Sequence, residues 1–210
     1  MATVISSFCT SLDGFVARLD DSVGPLFDWH HSGDVEVRPP GYPLTLRVSE
    51  ASARHWREMI ERRGAFVCGR RLFDHTRGWG GRPPLGVPTF VVSHRPPPDD
   101  WPERTEAPYA FVGDLESAVA KAAAAAGEGI VSVAGANLAQ QCLRAGLLDE
   151  VWIDLVPVLL GEGIRYLDGV AEARLSGPTV IEGTGVTHLR YRVERRSGQV
   201  TGEGGKPSRR

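Results

Sequence analysis

The chain has few cysteines and no long apolar run. Three of its 210 residues are cysteines, Cys9, Cys68 and Cys142, and they lie far apart beside apolar neighbours. An odd number of cysteines without C-x-x-C spacing argues against a disulfide framework or a cysteine-based zinc site. We therefore expect reduced, buried thiols, which are typical of a cytoplasmic protein. No apolar stretch approaches the roughly 20 residues that a helix needs to span a bilayer, so we expect no membrane partner.

The chain also lacks an excess of charge of either sign. Its formal net charge is −2, which gives a nucleic-acid partner no electrostatic support. Residues 1–5 enter a strand-like run directly and lack the basic and apolar regions of a signal peptide. These features predict a cytoplasmic protein that does not bind nucleic acid.

Strand-like and helix-like segments alternate over the length of one domain. Apolar runs indicate strands at 3–10, 65–68, 87–92, 109–112, 130–134 and 150–156, and helical patterns lie at 49–63, 114–126 and 136–147. This alternation predicts an α/β fold with a largely parallel sheet, closed by an antiparallel hairpin at 173–196. We place one domain at residues 1–196 and a disordered tail at 197–210. Residues 18–46 have no clear period and predict a long irregular surface segment.

The most informative local feature is a strand–turn–helix junction at residues 131–138. A β-branched run ends in Gly135 and Ala136, and a helix then opens with Leu138 among its apolar positions. The first N–H groups of a helix lack internal partners and its dipole makes that end partly positive, so a phosphate binds there if the approach is open. The alternative is that the small residues serve close packing alone.

Two further corners suit a phosphate. Residues 69–72 follow a strand with a glycine and two arginines, and residues 93–95 follow another with a hydroxyl, an imidazole and a guanidinium. The alternatives are a helix start with solvated arginines and an exposed polar loop. Because ligands of such sheets bind beyond the carboxyl ends of the strands, we expect these corners, Gly135 and the Asp13-Gly14 turn to converge on one cleft. The first strand is not followed by the G-x-G-x-x-G motif, and this argues against an ordinary Rossmann fold.

The order of these motifs resembles the bacterial dihydrofolate-reductase-like family, which shares its fold with the C-terminal reductase domain of riboflavin-biosynthesis proteins. The motifs are SLDGFVA at 11–17, GRRLF at 69–73, VVSH at 91–94, VAGANL at 133–138, and DEVWI at 149–153 with Pro157 and LGEG at 160–163. The resemblance covers about residues 3–195. It implies a mixed, mainly parallel sheet flanked by helices, NADPH as the hydride donor, and a homodimer; the apolar run at 151–160 offers some support for an interface.

The resemblance also implies roles for individual residues. Residues 69–71 would meet the cofactor phosphates, 93–95 would surround the adenosine 2′-phosphate, and 135–138 would carry the pyrophosphate and approach the nicotinamide. Ala136 stands where the family usually has a second glycine, and its methyl group disfavours positive φ. The implied cofactor-binding residues are Gly14, Gly69, Arg70, Arg71, Leu72, Ser93, His94, Arg95, Gly135, Ala136, Asn137 and Leu138.

Few residues are candidates for the chemistry itself. Asp13 is the best candidate for orienting the substrate or relaying a proton, and its alternative is an ordinary Asp-Gly turn. Trp29, with His30 and His31, is a candidate wall of the substrate pocket, or packs its loop down. Arg165 is a candidate for an anionic substrate group, or lies in a solvated loop. Adjacent histidines lack metal-ligand spacing, so we predict no metal site.

The sequence therefore predicts an NADPH-dependent oxidoreductase that reduces a small heterocycle, pterin-like or aminopyrimidine-like, by hydride transfer. The small-molecule substrate itself is not encoded in a readable motif. One alternative is the 5-amino-6-ribosylamino-pyrimidine reductase of the riboflavin pathway. The other is a non-catalytic NADP(H)-binding protein.

Overall fold

The computed structural model describes residues 1–41, 44–102, 105, 107–170 and 172–194, and the predicted tail at 197–210 lies outside these residues. The helices are α1 Glu50–Arg62, α2 Arg70–His75, α3 Leu115–Ala126 and α4 Ala136–Arg144, with 3-10 helices at Gly24–His31, Arg77–Gly81 and Pro84–Gly86. The strands are β1 Thr3–Ser11, β2 Phe15–Ala17, β3 Val35–Val37, β4 Leu46–Val48, β5 Arg63–Gly69, β6 Thr89–Val92, β7 Tyr109–Val112, β8 Ile130–Ala134, β9 Glu150–Val156, β10 Ile164–Arg165, β11 Leu175–Gly183 and β12 Val186–Val193.

Eight strands form the main sheet in the order β11-β12-β9-β1-β8-β5-β6-β7. The six strands from β9 to β7 pair in parallel. The last two strands form an antiparallel hairpin that adds to β9. The predicted mixed, mainly parallel sheet with a C-terminal hairpin is therefore confirmed.

Both faces of the sheet are covered. On one face α3 and α4 pack against β5 and β8 through Ala118, Ala139 and Val131. On the other face α1 and the first 3-10 helix cover β9 and β12, with Ala53 and Val186 in the same apolar cluster. This double burial explains why the parallel strands read as continuous apolar runs rather than alternating ones.

The ends of the predicted helices fall close to their expected positions. Ser49 caps α1, because its Oγ accepts a hydrogen bond from the Ser52 N–H at 3.3 Å. The helical pattern predicted at 49–63 ends at Arg62, and Gly64 lies within β5. Glycine is needed there for close packing: a Cβ would lie 2.6 Å from Ala126 Cα.

The cap at Ser49 gives a stability test. Ser49→Ala is expected to lower the free energy of unfolding by about 1 kcal/mol, because a first-turn N–H loses its partner. Urea unfolding followed by circular dichroism measures the change. Ser49→Asp keeps an acceptor at the cap and should retain most of the stability, and equal losses in both variants would contradict a capping role.

The segment at 18–46 is more ordered than its sequence indicates. It contains the 3-10 helix at Gly24–His31, together with β3 and the start of β4. Leu26 and Leu46 are completely buried, and this apolar anchoring fixes a backbone that has no regular sequence period. In the part of the chain that the structure describes, no helix has the length and apolar character to cross a membrane.

Most of the apolar run at 151–160 is covered. Strand β9 lies between β12 and β1, and of the large apolar residues in the run only Leu159 is strongly exposed. The cysteines are free, as predicted. Cys68 and Cys142 are buried and Cys9 is partly exposed.

Candidate active site at the carboxyl edge of the sheet

The predicted phosphate corners lie at one edge of the sheet. Because β1, β5, β6 and β8 run in parallel, the residues that follow them leave the sheet on the same side. We call this side the carboxyl edge. It carries Asp13, Gly69, Ser93 and Gly135, so the fold brings together the corners that the sequence predicts to converge.

Gly135 forms the most open of these corners. Its backbone has φ 105° and ψ 121°, and a Cβ built there would meet nothing within 4 Å. It precedes α4, whose first N–H groups receive no side-chain cap. An uncapped helix start with clear space in front of it is suited to an anion.

The alanine at position 136 does not obstruct this corner. Ala136 is the first residue of α4 and is only 8% exposed, so its position requires helical rather than positive φ. Leu138 is also buried, and Asn137 is exposed and accepts a hydrogen bond from Gln141 at 2.6 Å. The departure from a two-glycine turn is therefore compatible with an open approach.

Arg70 connects two of the corners instead of standing free. Its side chain is 16% exposed, and its Nε donates to Asp74 Oδ1 at 2.7 Å. Its Nη1 donates to the Pro96 carbonyl at 2.8 Å. Arg70 therefore ties α2 to residues 93–96, next to the partly buried Leu72, and a ligand phosphate would have to compete with these bonds.

Arg71 and Arg95 are more available. Arg71 pairs with Asp21 at 2.7 Å and Arg95 with Asp74 at 3.0 Å, and the two arginine side chains are 74% and 66% exposed. Exposed ion pairs of this kind contribute little free energy, so either guanidinium can exchange its carboxylate for a phosphate. Ser93 organises the loop, since its Oγ accepts from the Arg95 N–H at 3.0 Å.

His94 follows β6 and lies near the end of β7. Its Nδ1 would be 3.8 Å from a Cβ on Gly113, which directly follows β7. The loop at 93–95 therefore reaches across the ends of β6 and β7, a placement that suits the terminal phosphate of a long ligand lying along the carboxyl edge.

Asp13 holds a distant loop. Its carboxylate accepts hydrogen bonds from Ser11 Oγ at 2.5 Å, from the Gly161 N–H at 2.7 Å and from the Leu160 N–H at 3.2 Å. The Ser11 hydroxyl and these N–H groups lower the pKa of Asp13. The carboxylate is therefore ionised at neutral pH, which favours an orienting role over proton donation.

Arg165 lies beside this turn. Its Nη1 donates to the Asp13 carbonyl at 3.4 Å, and its guanidinium lies 4.6 Å from the centre of the Phe15 ring. Gly14 adjoins the same guanidinium, because a Cβ there would be 3.9 Å from Nη1. The geometry places one exposed positive charge at the end of the carboxyl edge that is remote from residues 93–95.

Of the two interpretations that the sequence allows for Trp29, the structure favours packing its loop down over lining an open pocket. Trp29 is 2% exposed and packs in the core with Leu26, Val156 and Val186. Its neighbour His30 is also buried, and burial lowers the pKa of His30 to about 4. The large indole gains more from apolar burial than from contact with solvent, so it anchors the 18–46 segment.

Sequence reasoning missed a buried polar cluster around Asp154. This residue lies in the middle of the apolar strand β9 and bonds to His188 Nδ1 at 2.6 Å. A carboxylate within the apolar residues 151–156 was the available signal, because buried charges require partners.

The sheet order and the covering helices define a domain of the dihydrofolate-reductase-like fold, with an uncapped helix start and several arginines at the carboxyl ends of the parallel strands. The model of the family described as the RibD C-terminal domain matches residues 2–189. The chain belongs to this family, and it is a reductase.

Solved structures agree with the fold. A Shewanella sp. PV-4 protein assigned to riboflavin biosynthesis is 25% identical, with a TM-score of 0.63, covering 93% of this chain and 100% of that one. Acinetobacter baumannii RibD is 16% identical, with a TM-score of 0.60, and the match covers 92% of this chain but 58% of that one. Enterococcus faecalis dihydrofolate reductase, solved with NADP(H), is 14% identical, with a TM-score of 0.51 over 92% and 97% of the two chains. No curated protein matches significantly in sequence.

Proposed function

We propose that this reductase uses NADPH to reduce a small heterocyclic substrate, pterin-like or aminopyrimidine-like. The observation that carries the proposal is the uncapped start of α4 behind the open Gly135 corner, aligned at one edge with the basic residues at 70–71 and 93–95. The structure of the enterococcal relative in complex with NADP(H) supports the choice of cofactor. When bound, NADPH would supply the hydride.

Different residues of the carboxyl edge bind different parts of the cofactor and the substrate. Residues 135–138 bind the pyrophosphate through the backbone of α4, and the nicotinamide lies toward Gly14. Gly69 leaves room beside Leu138, since a Cβ there would approach its Cδ1 to 3.0 Å. Arg70 positions the loop at 93–95, whose Arg95 binds the 2′-phosphate. Asp13, ionised, orients residues 160–161 beside the substrate.

The position of Arg165 bears on the substrate. An exposed guanidinium at the nicotinamide end suits an anionic group on the molecule that accepts the hydride. This favours, as a second candidate, a phosphate-bearing ribosylaminopyrimidine of the riboflavin pathway, the process to which the Shewanella relative is assigned.

Turnover assays separate these possibilities. The purified protein is mixed with NADPH and with pterins, aminopyrimidines or their ribosyl phosphates, and the absorbance of the reduced nicotinamide is followed. We expect oxidation with at least one class. Tight NADPH binding without oxidation by any of them would favour the non-catalytic NADP(H)-binding alternative.

A preference for NADPH over NADH follows from the exposed guanidinium of Arg95, which can exchange Asp74 for a phosphate. We expect Arg95→Gln to reduce this preference about tenfold, because one charge-assisted bond to the 2′-phosphate is worth about 1.4 kcal/mol. Dissociation constants from fluorescence titration measure it. Arg62→Gln removes a comparable exposed charge at the far end of α1 and should change nothing. Equal affinity of the unaltered protein for both cofactors would contradict the proposal.

We also propose a cytoplasmic homodimer. The edge strand β11 supports it, because β11 has a free side and leaves Leu175 and Val180 exposed. Gel filtration with light scattering tests this proposal, and a monomer at micromolar concentration would reject it.

A further inference from the structure

A cluster of metal-ligating side chains is buried beneath α1. Asp154 Oδ1 lies 2.6 Å from His188 Nδ1 and 3.6 Å from His55 Nε2. The three ligand atoms all lie within 4.8 Å of one another, and the three residues are buried. They come from β9, β12 and α1, so only the folded chain brings them together.

Among the described residues, the buried carboxylate of Asp154 pairs with the two imidazoles and with no arginine or lysine. Burial disfavours its ionised form, but the His188 hydrogen bond and the neighbouring imidazoles lower the pKa of Asp154 overall. The nearby Arg190 forms its ion pair with Glu58: its Nη1 bonds to both oxygens of Glu58 at 2.9 Å, and its guanidinium stacks on Trp152 at 4.1 Å. Burial of a carboxylate is costly, and a bound cation would offset that cost.

The outer nitrogens of the two imidazoles are also held. His188 Nε2 lies 2.9 Å from Ser52 Oγ, an outer partner of the kind that orients metal-bound histidines. His55 Nδ1 accepts from Arg190 Nη2 at 2.8 Å, so His55 carries its proton on Nε2, toward Asp154. A third histidine, His30, lies close by. It is 5% exposed, and among the described residues its Nε2 has no hydrogen-bond partner.

We propose that His55, His188 and Asp154 form a binding site for a divalent transition-metal ion of the zinc class. Two imidazole nitrogens and one carboxylate oxygen suit this ion, at metal–ligand distances of about 2.0–2.2 Å. Modest movement of the three side chains would bring them to such distances. When the metal binds, the proton of each histidine moves to the ring nitrogen that faces away from the metal. The Nε2–H of His188 then donates to Ser52 Oγ. Arg190 gives up its hydrogen bond to His55 Nδ1 and keeps its bonds to Glu58.

This site is separate from the carboxyl edge. Asp154 pairs in register with Cys9, two residues before the end of β1, on the face covered by α1. A metal ion there would connect α1 to β9 and β12. Its consequence would be greater stability, and the proposal goes beyond the reductase function and does not depend on it.

Calorimetric titration of the untagged full chain with Zn²⁺ tests the proposal. We expect one equivalent to bind, a higher melting temperature with Zn²⁺, and reversal by EDTA. Asp154→Asn should lose at least tenfold in affinity, and Ser52→Ala about tenfold through its effect on His188. Arg190→Gln should bind more tightly, because its amide oxygen can accept the relocated His55 proton. His75→Gln, an exposed histidine on α2, should bind like the unaltered protein.

Two outcomes would overturn the site. One is absence of Zn²⁺ binding by the unaltered chain. The other is equal binding by the unaltered protein and the Asp154→Asn variant. If circular dichroism shows that Asp154→Asn does not fold, equal binding by the unaltered protein, Ser52→Ala and His188→Gln has the same meaning. Weaker binding by folded Arg190→Gln would reject the assigned ligand atoms. NADPH titration of the same samples reports separately on the reductase function.

Discussion

Gly135→Val is expected to abolish measurable NADPH binding while the domain remains folded. The valine side chain would occupy the clear space in front of α4, where the pyrophosphate is proposed to bind. The φ of 105° also strains any side chain with a Cβ, at a cost of about 1–3 kcal/mol. A loss of at least about 100-fold in affinity, or about 2.7 kcal/mol, should appear in a fluorescence titration.

Strain and steric exclusion are separated by a matched control. Gly127 caps the far end of α3 with φ 62° and ψ −109°, and a Cβ there also meets nothing within 4 Å. Gly127→Val should therefore lose comparable stability in urea unfolding but bind NADPH normally. If both variants bind NADPH equally well, the start of α4 is not the phosphate site.

Asp13→Asn is expected to lower turnover more than any other single change on the substrate side. The asparagine keeps one acceptor oxygen, but its NH2 group would face either the Gly161 N–H or the Ser11 hydroxyl, which now donate to the carboxylate. Residues 160–161 would lose their anchor beside the substrate. We expect kcat to fall about 10- to 100-fold, in the range typical for misplaced catalytic surroundings, with the Kd for NADPH nearly unchanged.

The pH dependence distinguishes this orienting role from proton donation. The pKa of Asp13 is lowered from its ordinary value of 3.8, so the anchor is present at neutral pH and is lost only as pH falls through that lowered pKa. The rate should show no titration of Asp13 between pH 5 and 8. Asp20→Asn, a second exposed aspartate bonded to a nearby serine, should leave kcat unaltered. A rate that falls with the titration of Asp13 near neutral pH would show that it donates the proton.

Much of the fold could be predicted because it is encoded by local patterns. The runs at 65–68 and 130–134 are apolar throughout because strands covered on both faces have no polar side. Ser49 and Asp114 stand at helix starts because their side chains satisfy free N–H groups there. Parallel strands then place their carboxyl ends together, and this rule was sufficient to gather the four corners at one edge.

Side-chain partners could not be predicted in the same way. No sequence pattern indicates that the Asp13 carboxylate bonds to Gly161, or that Arg70 is held by Asp74 and Pro96. The sequence left open whether Trp29 walls a pocket or packs its loop down, and the side chain lies in the core. Each of these outcomes depends on which side chains fill the space between elements, and hydrophobic periodicity carries no information about that.

The amino-acid sequence by itself determined the alternation of strands and helices, the position of the glycine before α4 and the membership of a reductase family, since all three depend on short contiguous motifs. Only the tertiary structure decided which charges are free and which are paired, and only it assembled His55, Asp154 and His188 in one place. The physical reason is range: backbone preference and amphipathic period act over a few neighbouring residues, whereas hydrogen bonds and ion pairs form between residues that chain folding brings together from any distance.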